Sequence, residues 1–261
     1  MVKAVFFDID GTLISFKTHV MPESTRRALD ELKEKGIKVF VATGRSELGF
    51  KRAKEILNYD FDGYIYSNGQ YVVVDGEVIR DMPIDSSDLN TVIENIKKHN
   101  IATSVSMRDK SFMTAVDDRV NSLFEYLGGT VAKVNIEPVE NILTAPVYQF
   151  GAYVFEDEND LFLAGTKNLR PLRWIKWFAD IIPIEGGKGH GIEAIADHMG
   201  INIDETMAFG DGENDLEMIE KVKYGIAMGN AIESLKEASD YVTEDADNDG
   251  IYKALKHFKV L

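Results

Sequence analysis

The chain of 261 residues contains no cysteine. Disulfides, thiolate metal sites and thiol nucleophiles are therefore excluded from the start. Proline is scarce, at six residues, and no low-complexity tract interrupts an otherwise ordinary globular composition. No apolar run comes near the roughly 20 residues that cross a bilayer. The opening Met1-Val2-Lys3-Ala4-Val5-Phe6-Phe7-Asp8 places an acid where a secretory leader would still be apolar. A cytoplasmic protein without a membrane partner is the simplest expectation. Positive charge is short as well: 29 Lys and Arg stand against 44 Asp and Glu, a formal charge of −15. Binding along a phosphate backbone relies on a basic face, and the sequence shows none, so no nucleic-acid partner is expected. No obligate protein partner is evident either. An anionic substrate would have to be met by a metal ion and a few placed cations, because the overall field does not attract it.

What is present is a regular alternation of short apolar runs and amphipathic stretches. Val5-Phe6-Phe7 reads as a buried strand. Residues 22–35 carry Ala28, Leu29 and Leu32 at helical spacing, with Gly36 at the end. Residues 37–42 form a second strand, Ala53, Ile56 and Leu57 mark a helix, and residues 64–66 and 71–74 read as strands around Asn68-Gly69. The tail returns to this pattern, with helices through Ile192 to Met199, Leu216 to Ile219, Ile232 to Leu235 and Ile251 to Phe258. Strands at Met207-Ala208-Phe209 and Gly225-Ile226-Ala227-Met228 lie between them. Strand–helix–strand alternation predicts an α/β fold with a doubly wound parallel sheet. The middle differs. Helices through Leu89 to Ile96, Val120 to Leu127 and near Leu161 alternate with strands at residues 101–107, 112–116, 147–154 and 173–182, which suggests an antiparallel sheet covered on one face. The expected organisation is a Rossmann-like core split in sequence, residues 1–82 and 184–261, with an inserted α+β domain at residues 83–183.

Four short stretches carry chemistry. Asp8-Ile9-Asp10-Gly11-Thr12 directly follows the first strand, and ligands of open parallel sheets bind outside the carboxyl ends of strands. Ala42-Thr43-Gly44-Arg45 follows the second strand, where a hydroxyl and backbone N–H groups can cradle an anion, although a helix cap explains the threonine equally well. Glu185-Gly186-Gly187-Lys188-Gly189-His190-Gly191 reads by itself as a flexible linker. It is no P-loop, since Gly189 stands where Ser or Thr should follow the lysine. Lys188 could still bind a phosphate and shield a nearby acid. Gly210-Asp211-Gly212-Glu213-Asn214-Asp215 gathers three acids within five residues at a strand end. Hard oxygen ligands without His or Cys favour Mg²⁺ over zinc. Asp245-Ala246-Asp247-Asn248-Asp249-Gly250 opens like an EF-hand loop, but Lys256 occupies the position that needs a bidentate Glu, so calcium is not expected. The five histidines show no ligand pair at metal spacing. His19 stands out only by lying in the loop after the first acidic pair.

In order and residue type the four stretches resemble the haloacid dehalogenase (HAD) superfamily of phosphotransferases. Ser67-Asn68-Gly69 and the tail Ala238-Ser239-Asp240-Tyr241-Val242-Thr243, leading to Asp249-Gly250-Ile251, are similar to its Cof-like branch, in which a type IIB cap is inserted after the third strand. The resemblance spans the chain, the cap mainly by position, length and pattern. It implies a Mg²⁺-dependent phosphatase for small phosphorylated metabolites, foremost sugar phosphates. Asp8 would be the nucleophile and form a phosphoaspartate, and Asp10 would carry the proton. Asp8, Asp211 and the main-chain carbonyl of Asp10 would hold the metal, with Asp215 orienting that site or a ligating water. Thr43, Gly44, Lys188 and Asn214 would grip the phosphate. Substrate choice would fall to the cap and its surroundings, with Asn68, Arg173, Trp174, Trp177 and His19 as candidates. Aromatic faces beside polar groups in Arg173-Trp174-Ile175-Lys176-Trp177 suit a sugar, and an amphipathic edge strand accounts for them equally well. Two other readings remain open at this point: a phosphomutase of a sugar phosphate, and a regulator whose phosphoaspartate persists as a signal. Asp10 argues against the second, because an acid–base group two residues on promotes hydrolysis.

Overall fold

Every residue of Ala4-Val5-Phe6-Phe7 is buried, as the faces of a central parallel strand must be when helices cover its sheet. The computed structural model describes residues 1–127 and 135–261, apart from the side chains of Tyr126, Leu127 and Trp174. In chain order it begins β1 (Ala4–Phe7), α1 (Glu23–Glu34), β2 (Lys38–Ala42), α2 (Glu47–Leu57), β3 (Gly63–Tyr66), β4 (Tyr71–Val74) and β5 (Glu77–Asp81). Then come α3 (Ser86–His99), β6 (Thr103–Met107), β7 (Ser111–Met113), α4 (Asp118–Leu127), β8 (Val147–Ala152), α5 (Asn159–Leu163), β9 (Leu169–Ile175) and β10 (Phe178–Pro183). The last part is α6 (Lys188–Met199), β11 (Thr206–Gly210), α7 (Leu216–Lys221), β12 (Tyr224–Ala227), α8 (Glu233–Ala238), β13 (Tyr241–Val242) and α9 (Gly250–His257). Among the described residues no helix is long and apolar enough to cross a membrane.

The chain divides into two compact units. One comprises Met1–Arg45, Phe50–Asp81 and Gly187–Leu261, the other Ser46–Gly49 and Met82–Gly186. The first unit holds a sheet in the order β13-β12-β11-β1-β2-β3-β4-β5. The run from β13 to β3 is parallel, and β4 and β5 continue it antiparallel. The doubly wound parallel core is therefore present, with an antiparallel edge that the alternation of runs did not show. The reason is the connection: Ser67-Asn68-Gly69-Gln70 is too short for a crossover, and a tight turn can only return antiparallel. Alternate residues of each strand face opposite sides. Phe6 and Phe40 stack on one face, among Ile192, Ile195 and Met218. Phe7 and Phe209 stack as well, at 5.2 Å.

The second unit holds a sheet in the order β7-β6-β8-β10-β9, antiparallel throughout. Leu89, Val92, Ile93 and Ile96 of α3 bury against Val105, Met107, Phe150 and Ile181. The intervening Ser104 and Ser106 of β6 are half-buried. Residues 173–182, expected as one strand, are instead two strands of a hairpin, with Lys176 and Trp177 at the bend. Neither Gly nor Pro marks this turn, so the sequence carries no breaker there. The apolar periodicity also overstates two positions: Ile56 is 36% exposed, and Ile232, 41% exposed, precedes α8 rather than lying in it.

Candidate active site

The parallel ladder brings the first and last acidic stretches together. Phe7 pairs with Phe209, so β1 and β11 leave the sheet side by side and release Asp8 and Asp211 at adjacent strand ends. The chain after Asp8 folds back at once: Leu13 N–H donates to the Asp8 carbonyl, Ile14 N–H to Ile9, and Gly11 N–H to Ile14. Gly11 has φ +95°, and a Cβ there would lie 2.2 Å from Asp211 Oδ2. Only glycine permits both the backbone conformation and that approach.

Lys188 is the first residue of α6, not part of a linker, and is fully buried. Its ammonium donates to Asp8 Oδ1 at 2.6 Å and to Asp215 Oδ1 at 2.5 Å. The other oxygen of Asp215 accepts the backbone N–H groups of Asp211 and Gly212, both at 2.9 Å. Thr12 Oγ1 donates to Asp211 Oδ1 at 3.0 Å, and Asn230 Nδ2 reaches Asp211 Oδ2 at 3.2 Å and the Gly11 carbonyl at 3.0 Å. One carboxylate oxygen from each of Asp8, Asp211 and Asp215 lies within 4.8 Å of the others.

Three buried carboxylates against one ammonium leave two negative charges without a partner. Burial pushes the Asp8 carboxyl up to about 7. Lys188 opposes the rise, and Asp215 and Asp10 add to it. Burial also pushes Asp211 up to about 9, helped by Asp8 and Asp215. Lys188 is raised as well: burial works against its charge, but Asp215 and Asp8 outweigh it and hold the ammonium protonated. A divalent cation matches both the missing charge and the all-oxygen donor set, so the residues present fit Mg²⁺.

Around this cluster the second stretch supplies its own geometry. Thr43 is buried, its Oγ1 accepts the Arg45 N–H at 3.1 Å, and its carbonyl accepts the Asn68 N–H. Asn68, fully buried, lies against Gly44 and accepts a hydrogen bond from Asn214 Nδ2 at 3.1 Å. This side chain thus ties the second and fourth stretches together from within. Arg45 grips Asp10 in a bidentate pair, Nε to Oδ2 and Nη2 to Oδ1, both at 2.9 Å. Burial works against the guanidinium charge, and Asp10 overrides it, so Arg45 stays firmly charged. Sequence reasoning missed Arg45 and Asn230 as members of the site. Their only signal was position, each falling just after a strand end, since their partners lie far away in sequence.

Other expected residues are placed elsewhere. His19 is exposed in the loop at residues 16–20. In the second unit, Arg173 donates to the carbonyls of Val154, Lys176 and Phe178 and to Asn159 Oδ1, which braces the β9–β10 hairpin and makes its guanidinium a structural clamp. Trp177 sits at the hairpin bend with its indole N–H buried and without a hydrogen-bond partner. The Trp174 side chain lies outside the described residues. At the loop of Asp245 and Asp247, the Lys17 ammonium pairs with both acids, at 3.1 and 3.8 Å, so a cation of the chain itself stands where a calcium ion was not expected.

Known proteins resemble this chain along its whole length. YkrA of Bacillus subtilis (strain 168), a phosphatase by provisional name, is 34% identical over 262 residues, covering 99% of this chain and 98% of its own. The solved structure of the HAD subclass IIB sugar phosphatase BT4131 is 35% identical, with a TM-score of 0.87 over the whole of both chains. That of BT1666 from Bacteroides thetaiotaomicron, described among phosphatases of this enzyme superfamily, is 31% identical with a TM-score of 0.91, over 100% of this chain and 96% of that one. Residues 5–255 match the haloacid dehalogenase-like hydrolases, and the chain belongs to that family.

Proposed function

We propose that the protein is a Mg²⁺-dependent phosphatase that hydrolyses small phosphate esters, foremost sugar phosphates, through a phosphoaspartate on Asp8. The observation that carries this reading is the buried group of Asp8, Asp211 and Asp215 around Lys188. Asp8, Asp211 and the main-chain carbonyl of Asp10 would hold the ion, with Asp215 fixing the loop of Asp211 by its two backbone hydrogen bonds. Bound there, Mg²⁺ would neutralise charge on the transferring phosphoryl group.

The remaining work falls to the side chains. Lys188, at 2.6 Å, holds the Asp8 carboxylate in place. An Asp8 oxygen attacks phosphorus, the bond from phosphorus to the ester oxygen breaks, and Asp10 gives its proton to the departing alkoxide. Asp10 then takes a proton from water as that water attacks phosphorus, which releases inorganic phosphate and restores the Asp8 carboxylate. Thr43, Asn214 and Lys188 are assigned the phosphate oxygens. A carboxylate held in a bidentate pair with Arg45 can only accept hydrogen bonds, so Asp10 must leave the guanidinium before it can donate. The sugar-phosphate preference rests on the relationship to BT4131, and the insert is assigned the reading of the part of the substrate that is not phosphate.

Asp8→Asn keeps the size of the side chain and removes the nucleophile. With a generic aryl phosphate and Mg²⁺, phosphate release by this variant is expected to fall below detection. Turnover near that of the parent protein would refute the phosphoaspartate mechanism. A panel of phosphorylated metabolites then ranks the substrates.

A further inference from the structure

One exposed aromatic residue lies beside this site and is not used by the chemistry above. Phe16 is 59% exposed, yet the edge of its ring packs on Gly11. A Cβ built on Gly11 would lie 2.4 Å from Phe16 Cε2 and 2.2 Å from Asp211 Oδ2. Ring edge and carboxylate therefore flank the same point, one residue along from Asp10. Exposure of this kind usually accompanies a mobile loop, but this loop is tied down. Ser15 Oγ donates to Asp247 Oδ2 at 2.7 Å and accepts the N–H groups of Lys17 and Thr18 at 3.0 and 3.2 Å. Lys17 pairs with Asp245. Ser15 N–H donates to the Val20 carbonyl, and His19 N–H to the Ser15 carbonyl, which closes the loop on itself. The ring is thus presented by a fixed frame.

The direction in which an ester leaves the site supplies the occupant. With phosphorus in reach of Asp8, the leaving oxygen must face Asp10, whose side chain is 42% exposed while Asp8 is almost covered. The carbon skeleton attached to that oxygen then emerges on the open side of Asp10, next to Gly11 and the ring packed on it. We propose that Phe16 is a specificity-determining residue, an apolar wall against the carbon skeleton of the leaving group that favours bulky cyclic esters over minimal ones. The inference rests on the phosphatase reading and narrows its substrate class to phosphate esters with an apolar C–H face near the phosphate. One methylene more or less in an enclosed apolar pocket changes discrimination by roughly 10–200-fold, and a ring wall open to solvent is placed at the lower end of that range.

Phe16→Ala and Phe16→Tyr, assayed on glucose 6-phosphate and on acetyl phosphate, test it. For Phe16→Ala, kcat/KM on glucose 6-phosphate is expected to fall about tenfold, mainly through KM, with acetyl phosphate changed less than about twofold. Phe16→Tyr, which keeps the ring, is expected to stay within about twofold on both. An equal loss on both substrates for Phe16→Ala would overturn the proposal, since the ring would then support the carboxylates and not the substrate. Unchanged rates on both would overturn it too. Parent protein that cleaves acetyl phosphate but no sugar phosphate would remove the sugar-phosphate reading and this inference together, before any variant is compared.

Discussion

Lys188 decides how the acidic cluster behaves at the scale of single residues. Burial is what chiefly raises Asp8 and Asp211, and the one positive charge of Lys188 does not offset that burial together with the repulsion among the carboxylates, so the folded state takes up protons. Without metal, Asp8 and Asp211 are pushed up from 3.8 to about 7 and about 9, so the folded chain holds protons that the unfolded chain has already lost. The unfolded state binds fewer protons across this range, and stability without metal must fall as pH rises from about 4 towards 9. A divalent ion bound there, as proposed, would compete with those protons and remove the repulsion. The rise in Tm caused by Mg²⁺ is therefore expected to be larger at pH 8.5 than at pH 6, relative to a sample in chelator. Equal shifts at the two pH values, measured by thermal unfolding, would show that these carboxyls do not take up the ion.

At the scale of elements, the site depends on how α6 begins. Gly69, in the turn between β3 and β4, has φ +92°, and a Cβ there would lie 2.1 Å from the Gly187 carbonyl. Gly187 is the residue before Lys188, and its N–H donates to the Asn68 carbonyl. Gly69→Ala should cost about 2–3 kcal/mol and lower kcat, because the strain falls on the start of the helix that carries Lys188. Gly200, at the other end of α6, has φ +65° and open space around it. Gly200→Ala should cost only about 1–2 kcal/mol and leave kcat unchanged. Urea unfolding and a phosphate-release assay on both variants separate the two effects; equal losses of kcat would contradict the argument. The same contrast explains what the sequence disclosed. Helix α1 was legible because Ala28, Leu29 and Leu32 repeat at helical spacing, and all three are buried. Strand β5 escaped notice because Glu77-Val78-Ile79-Arg80-Asp81 is a largely exposed edge strand with no buried face to pattern it, and β13 has only two residues. Asp8, Asp211 and Thr43 announced themselves by following apolar strands. The pairing of Arg45 with Asp10 could not be read, because a guanidinium beside a turn looks the same whether solvated or bidentate.

For the whole molecule, the two units bury separate cores. The cluster around Val92, Val105 and Phe150 draws only on the second unit, and that around Phe6, Ile192 and Met218 only on the first. Residues 82–186 produced alone are therefore expected to unfold in one cooperative urea transition. Fluorescence follows it directly, since both tryptophans of the protein, Trp174 and Trp177, lie in this segment. A gradual, non-cooperative loss of signal would show that the segment needs the rest of the chain. The position of β1 between β2 and β11 has a consequence in time. At about 5–20 residues per second, a ribosome needs roughly 10–40 seconds to travel from the end of β1 to the start of β11. For that interval one edge of a wholly apolar strand has no native neighbour, and Asp8 has neither Lys188 nor Asp211. With the roles proposed for Asp8, Lys188 and Asp211, the newborn chain would pass through a sticky and catalytically silent youth, and every message cut short before residue 211 would end there.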